Sequence, residues 1–515
     1  MTKTAALIGA GPGDPGLITV RGRALLAQAD VVVHDHEVDP RILALASPGA
    51  ELIDVGHAGP GALAEEAISY LIVEKTQEGK QVARLKWGDP FIFERGGEEA
   101  LFLREQGVDV EIVPGVPIAV AATAFAGIPI TYPGAGDSLT IIRGQDDTGT
   151  SMPDVDWTSV ARLNGTVLSY ASAHQLPRMA QALLAHGCPP DMPAAIIRHG
   201  TLADQATEVS TIGGFTESLA AQGRRDGGLL VVGRVVRFRE HLRWFDARPL
   251  FGKTVLVTRP REQAAEFSER LIALGARVIE LPLIEIQAAP DPRALELAAG
   301  SASRFDWIVF TSANAVDAFM RALAALEQDA RALGTARLCA VGPATAARLA
   351  QFHLRVDLVP ETFHAEGAFA ALDAQGPLAG RTVLLPKGDI ARDVLAERLR
   401  AAGAEVTEVV AYRTVARDAL RDTDPDIYRM LLDGTLDCVT FTSSSAVRTF
   451  VDLVGEDAAI DLLRHTAVAT IGPVTGDTAR AAGIDVAIQP ERYTIPALTD
   501  AIAAHFATAP APTRR

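Results

Sequence analysis

Cysteine is scarce in this chain. Cys188, Cys339 and Cys438 are the only three among 515 residues, and no two form a CxxC pair. So small and odd a set excludes a disulfide scaffold and predicts buried or idle thiols in a reducing cytoplasm. Long hydrophobic runs are also missing: Gly, Pro or a charge interrupts each one well short of the ~18 residues a membrane span needs. The opening MTKTAALIGAGPGD reaches a glycine turn too early for a secretory leader, so no signal peptide is predicted. Positive charge is in deficit, with 48 Lys and Arg against 64 Asp and Glu and a net charge of −16. That balance argues against non-specific nucleic-acid binding, and it requires any anionic substrate to meet a local basic cluster. No metal centre is predicted.

What is present is ordinary globular material, 48% hydrophobic and 22% charged. At ~150 residues per domain the length predicts three or four domains. Apolar β-rich runs alternate with Ala/Leu-rich helical stretches, which predicts α/β domains with mainly parallel sheets. The clearest boundary is WFDARPLFG at Trp244–Gly252, giving domains at 1–245 and 252–507, a linker at 246–251 and a tail at 508–515. A weaker break at Tyr132–Asp156 divides the first half into two subdomains. The second half echoes itself: GKTVLVTRP (252) returns as GRTVLLPKG (380), FTSANAV (310) as FTSSSAV (441), and VGPATAARLA (341) as IGPVTGDTAR (471). Three matched blocks offset by about 130 residues predict two similar α/β lobes with a ligand cleft between them.

In the first half two glycine turns, GAGPGDPGLIT (9–19) and LKWGDPFIFERGGEE (85–99), each follow a short apolar run. Turns of this kind leave backbone N–H groups free to meet a ligand closely. The pair is expected side by side at the carboxyl edge of one parallel sheet, holding a nucleotide-like cofactor by main chain. With VPGVPIAVAATAFAGIPIT (113–131), HGTLADQ (199–205) and VVGRVVRFRE (231–240), these motifs resemble the tetrapyrrole methylase family, closest to uroporphyrinogen-III C-methyltransferases. The resemblance covers about 4–244. It implies S-adenosylmethionine as cofactor, with contacts at Pro12, Gly88, Asp89, Ile92 and Gly200, and Asp35 as the base. The chain departs from the family pattern at Trp87 for Gly, His57 for Lys, His36 for Arg, Pro117–Ile118 for Thr-Ala/Ser, Ala171 for Met and Tyr132–Pro133 for His-Arg. Trp87 and Ala171 therefore stand at cofactor positions and His57 at a catalytic one. Read without the family, Asp35 is an ordinary loop aspartate after a strand.

From about Phe251 to Phe506 the echoed blocks, with FDWIVFTSANAV (305–316), VLLPKGDIARDVL (383–395) and EVTEVVAYRT (405–414), resemble uroporphyrinogen-III synthases. That resemblance implies a two-lobed, cofactor-free enzyme closing hydroxymethylbilane with inversion of its last ring. It also implies Tyr412 as the group assisting departure of the substrate hydroxyl. A substrate with many carboxylates needs donors on both cleft walls. Thr311, Ser312, Thr345, Thr442, Ser443, Ser444 and Thr475 can supply them, with charge from Arg259 and Lys387. Each has a plain structural reading too: hydroxyls after strands as helix N-caps, Arg259 and Lys387 as solvated loop ends, Tyr412 as packing.

Together the resemblances imply a bifunctional cytoplasmic enzyme of cobalamin and sirohaem-type synthesis. The second half makes uroporphyrinogen III, and the first methylates it twice to precorrin-2. The competing reading keeps the synthase and makes the first half a catalytically degraded methylase scaffold. A homodimer through the first half is expected from that family, with no nucleic-acid or membrane partner.

Overall fold

The computed structural model describes residues 4–56, 64–144, 151–222, 227–389, 393–417 and 425–508. His57 and the tail from residue 509 lie outside them. Contacts divide the chain into two compact units, Met1–Thr254 with Leu271–Arg277 and Ala503–Arg515, and Val255–Arg270 with Val278–Ile502.

The first unit opens with five parallel strands, β1 (Thr4–Gly9), β2 (Val31–His34), β3 (Glu51–Asp54), β4 (Val82–Lys86) and β5 (Asp109–Val113), in the order β3-β2-β4-β1-β5. Strands covered on both faces read as continuous apolar runs. Accordingly Leu7, Val31 and Val33 enter the core on one face, and Ile8, Val32 and Leu85 the core on the other. The second sheet holds β6 (Leu139–Arg143), β7 (Thr166–Ala171), β8 (Pro193–Arg198), β9 (Ala206–Thr211) and β10 (Gly228–Val232), ordered β6-β7-β10-β8-β9. Only β6 and β7 are parallel there. The connecting helix Ile118–Phe125 buries Ala119 and Ala122 against Leu168, Ala195, Ile197 and Leu229 of this sheet.

The chain from Trp244 to Phe251 is pinned to the first unit. Trp244 Nε1 donates to Ala124 O at 2.9 Å, the Arg248 guanidinium lies 4.6 Å over the Trp244 ring, and Leu250 is buried. Asp246 is paired with Arg239 and Arg243.

The second unit holds two sheets, not one. The first contains β11 (Thr254–Val257) and β12 (Arg277–Glu280) with β18 (Cys438–Phe441) and β19 (Ala467–Thr470), ordered β12-β11-β18-β19. The second contains β13 (Ile284–Ala288), β14 (Trp307–Phe310), β15 (Arg337–Ala340), β16 (Thr382–Gly388) and β17 (Glu405–Ala416), ordered β13-β17-β16-β14-β15. The echoed blocks place β11 opposite β16 and β14–β15 opposite β18–β19. Each lobe is therefore half of one repeat and half of the other, and the orders β12-β11-β18-β19 and β17-β16-β14-β15 correspond strand for strand. The crossings are made by β13 and the distal half of β17, paired antiparallel from Ile284↔Ala416 to Ala288↔Tyr412. Two lobes follow from the repeat as expected; their exchange of halves does not show in it. The three cysteines are free and buried.

Candidate functional site

In the first unit the two glycine turns meet at the carboxyl ends of β1 and β4. Gly11 N–H donates to Gly88 O at 3.1 Å, and Gly88 N–H to Gly11 O at 2.9 Å. Both glycines have left-handed backbones, φ +76° and +73°. A Cβ at Gly115, at the end of β5, would stand 2.0 Å from Gly88 O, so three strand ends close on one another through bare backbone. Asp89 ties this junction together, accepting from Phe91 N–H and Gly115 N–H at 2.9 Å each. Its carboxylate is a turn brace.

The other positions expected to meet a cofactor converge here. Thr201 Oγ1 donates to Pro12 O at 3.4 Å. Gly200 packs on Ala122, where a Cβ would come within 2.4 Å, and Ile118 faces Gly88. Tyr170 OH accepts from Ala119 N–H at 3.0 Å, which brings the end of β7 and the buried Ala171 to the same corner. Ile92 follows Asp89 in its turn, with its N–H 3.3 Å from Asp89 O. A glycine-walled cradle edged by Pro12, Ile92, Ile118 and Gly200 fits a nucleotide-like group read by main chain and apolar contact. Trp87 keeps its backbone in the turn.

Asp35, after β2, has both oxygens engaged: Arg84 Nη2 lies 2.5 Å from Oδ1, and Trp87 N–H donates to Oδ2 at 2.8 Å. Arg84 and Lys86 occupy alternate positions of β4 and so share a face. Both also reach Glu99, with Lys86 Nζ 2.8 Å from Oε1 and Arg84 Nε 3.3 Å from Oε2. All three are buried, Arg84 to 2% exposure. Beside them burial and the charge of Asp35 push the Glu94 carboxyl up to about 7. Farther out His36 Nδ1 pairs with Asp54 at 2.9 Å, and that hydrogen bond raises the imidazole. The sequence reading missed Arg84, Lys86, Glu94 and Glu99. Two cations inside the otherwise apolar strand VARLK were the available signal.

In the second unit Tyr412 OH lies 3.1 Å from Ser312 Oγ at the end of β14. Its ring passes over Gly388, where a Cβ would come within 2.8 Å. Ser312 also caps the helix Ala313–Ala325 through Ala315 N–H at 3.2 Å. Ser443 does the same for Ser444–Val454 through Ala446 N–H at 3.2 Å. Thr311 is exposed and Thr442 half-buried at the matching strand ends.

Four expected substrate donors are enclosed or already engaged in this structure. Thr345 and Thr475 are buried on their helices. Ser444 Oγ is committed to Val474 O and Thr478. The Lys387 ammonium is taken by Asp393 and Glu408, which cancels its charge. Arg259 stands apart. Its buried Nε has no acceptor, and no carboxylate pairs with it among the described residues. Burial lowers its pKa. Arg259 Nη2 donates to Gln263 Oε1 at 3.1 Å, and Gln263 Nε2 to Asn314 Oδ1 at 2.7 Å, a chain running from one lobe to the other. Among the described residues no side-chain group could hold a metal, and no helix is long and apolar enough to cross a membrane.

Residues 5–216 match the family model of tetrapyrrole (corrin/porphyrin) methylases, and 265–500 that of uroporphyrinogen-III synthase HemD. The porphyrin biosynthesis protein HemD of Ruminiclostridium josui is 36% identical over 497 residues, 96% of either chain. The uroporphyrinogen-III C-methyltransferase of Bacillus subtilis (strain 168) is 34% identical over 334 residues, 65% of this chain and 68% of its own. A solved uroporphyrin-III C-methyltransferase from Thermus thermophilus, complexed with S-adenyl homocysteine, is 34% identical and covers 45% of this chain and 99% of its own at a TM-score of 0.40. With both models matched in order and one relative aligned almost end to end, the chain belongs to the HemD family of porphyrin biosynthesis and joins a tetrapyrrole methylase to a uroporphyrinogen-III synthase.

Proposed function

We propose that the second unit converts hydroxymethylbilane to uroporphyrinogen III with inversion of the last ring. The first unit then methylates that product twice, using S-adenosylmethionine, to precorrin-2. The observation that carries the methylase reading is the hydrogen-bonded Gly11–Gly88 turn pair, which stands intact beside the Trp87 substitution. Pro12, Trp87, Gly88, Asp89, Ile92, Ala171 and Gly200 would hold the cofactor, which supplies an electrophilic methyl group when bound. The chain's own task is to align the acceptor carbon, exclude water and meet the positive charge that methylation leaves on the ring. Asp35, fixed by Arg84 and the Trp87 N–H, meets that charge. His57 keeps the catalytic place that the resemblance gives it.

In the synthase unit Arg259, whose buried Nε has no acceptor among the described residues, suits a substrate carboxylate. The Tyr412 hydroxyl, held by Ser312, suits a proton donor to the departing hydroxyl, which leaves as water. This half needs no cofactor for that chemistry.

A coupled assay from hydroxymethylbilane, with and without the methyl donor, tests both halves by product mass and isomer type. The type III ring and then a doubly methylated product are expected. Type I product alone rejects the synthase reading. No heat on titrating S-adenosylmethionine into the protein rejects methyl transfer and leaves a synthase with a scaffold first half, the reading that Trp87, His57 and Ala171 favour.

A further inference from the structure

We propose that Gln263 is a positioning residue of the ring-closing site. It holds the Arg259 guanidinium ready for a substrate carboxylate and ties that grip to the opposite lobe through Asn314. This rests on the synthase reading above and deepens it. Arg259 follows β11, and Gln263 stands four residues on, in the first turn of the helix Arg261–Ala273. Asn314 lies in the first turn of Ala313–Ala325, after β14 in the other lobe. Arg259 Nη2 donates to Gln263 Oε1 at 3.1 Å, and Gln263 Nε2 donates to Asn314 Oδ1 at 2.7 Å.

Chemistry fixes the direction of this relay. A guanidinium has five N–H donors and no acceptor, so the Gln263 amide must turn its oxygen to Arg259 and its NH2 to Asn314. The Asn314 oxygen then accepts, and both amides are set in one orientation. Arg259 keeps hydrogen-bonding capacity to spare. Its Nε is buried without an acceptor, and its side-chain partner among the described residues is the neutral Gln263. Glu266, three residues past Gln263, is taken by Arg270 at 3.1 Å. A guanidinium met by an amide retains its charge for a ligand, whereas the Lys387 ammonium, met by two carboxylates, does not.

The relay also ends beside the proposed proton donor. Asn314 is two residues from Ser312, whose Oγ caps the same helix through Ala315 N–H and lies 3.1 Å from Tyr412 OH. Gln263 therefore fixes the carboxylate grip of one lobe against the helix end that meets Tyr412 in the other.

The test uses the full chain with Gln263→Glu, Gln263→Leu, Asn314→Leu and the double variant Gln263→Leu/Asn314→Leu, each checked for fold by urea unfolding. Gln263→Glu separates charge from clasp. Its carboxylate accepts from Arg259, and from Asn314 once that amide turns over, so the link between lobes stays while the Arg259 charge is cancelled. KM for hydroxymethylbilane should rise at least ~10-fold with kcat little changed and stability undiminished. Added salt should raise KM less in this variant than in the unsubstituted protein, because less charge is left to screen. Gln263→Leu and Asn314→Leu should each raise KM by ~3–10-fold. The double variant should be no worse than the larger single loss, since Asn314 acts through Gln263. An unchanged KM in Gln263→Glu, or additive losses in the double variant, overturns the proposal and leaves the synthase reading standing. An unsubstituted protein that forms only the type I ring overturns that reading and this proposal together.

Discussion

Arg84 is a guanidinium inside a sheet, answering Asp35 and Glu99 at once, and its removal leaves carboxylates without a counter-ion where water is scarce. Breaking such a buried set costs ~3–5 kcal/mol, whereas an exposed pair contributes ~0–1 kcal/mol. Arg84→Met should therefore lower stability in urea by ~3–5 kcal/mol. Lys75→Met, at the Glu51 pair nearer the surface, should change it far less. Equal losses in the two variants would show that Arg84 is not held as described. At this scale the sequence was readable where backbone decides: the glycines of the two turns had to be glycines, and their spacing placed them together. It was unreadable where a side chain chooses its partner. Nothing in LLPKG tells that Lys387 will be neutralised by Asp393 and Glu408, six and 21 residues away.

Among the elements, the strand ends of β14 and β18 show why hydroxyls were ambiguous. A serine after a strand can cap the next helix or meet a ligand, and both uses look alike in sequence. Ser312 does one and is poised for the other, since the oxygen that caps Ala315 N–H also meets Tyr412 OH. The two roles separate by mutation. Ser312→Ala should cost ~1 kcal/mol as a lost cap and also slow ring closure. Tyr412→Phe leaves the cap in place, so it should hold stability to within ~0.5 kcal/mol while slowing ring closure. In the double variant the two losses of turnover should not add, because both remove one hydrogen bond. Strictly additive losses would disconnect Ser312 from Tyr412. The echo of FTSANAV in FTSSSAV foretold two equivalent strand ends. It was silent on which sheet each joins, because matched segments fit either lobe until β13 and β17 cross.

For the molecule as a whole, each unit has its own sheets and its own cores. A ligand that binds one folded unit stabilises that unit by mass action, by ~2.7 kcal/mol at one hundred times its Kd. The tryptophans allow the units to be followed separately. Trp87, Trp157 and Trp244 lie in the first, while Trp307 lies in the second, buried with the Arg337 guanidinium 4.1 Å over its ring. The difference between unfolding curves of the unsubstituted protein and Trp307→Phe isolates the second unit's transition. Saturating S-adenosylmethionine should move the first unit's transition to higher urea and leave the Trp307 transition in place. Arg259→Ala should abolish turnover of hydroxymethylbilane without changing donor affinity, because its guanidinium and the cradle at Gly88 belong to different units. If the donor instead stabilises the Trp307 transition by the same amount, the chain folds as one cooperative body. Two sites built from separate cores would then be the wrong description of this enzyme.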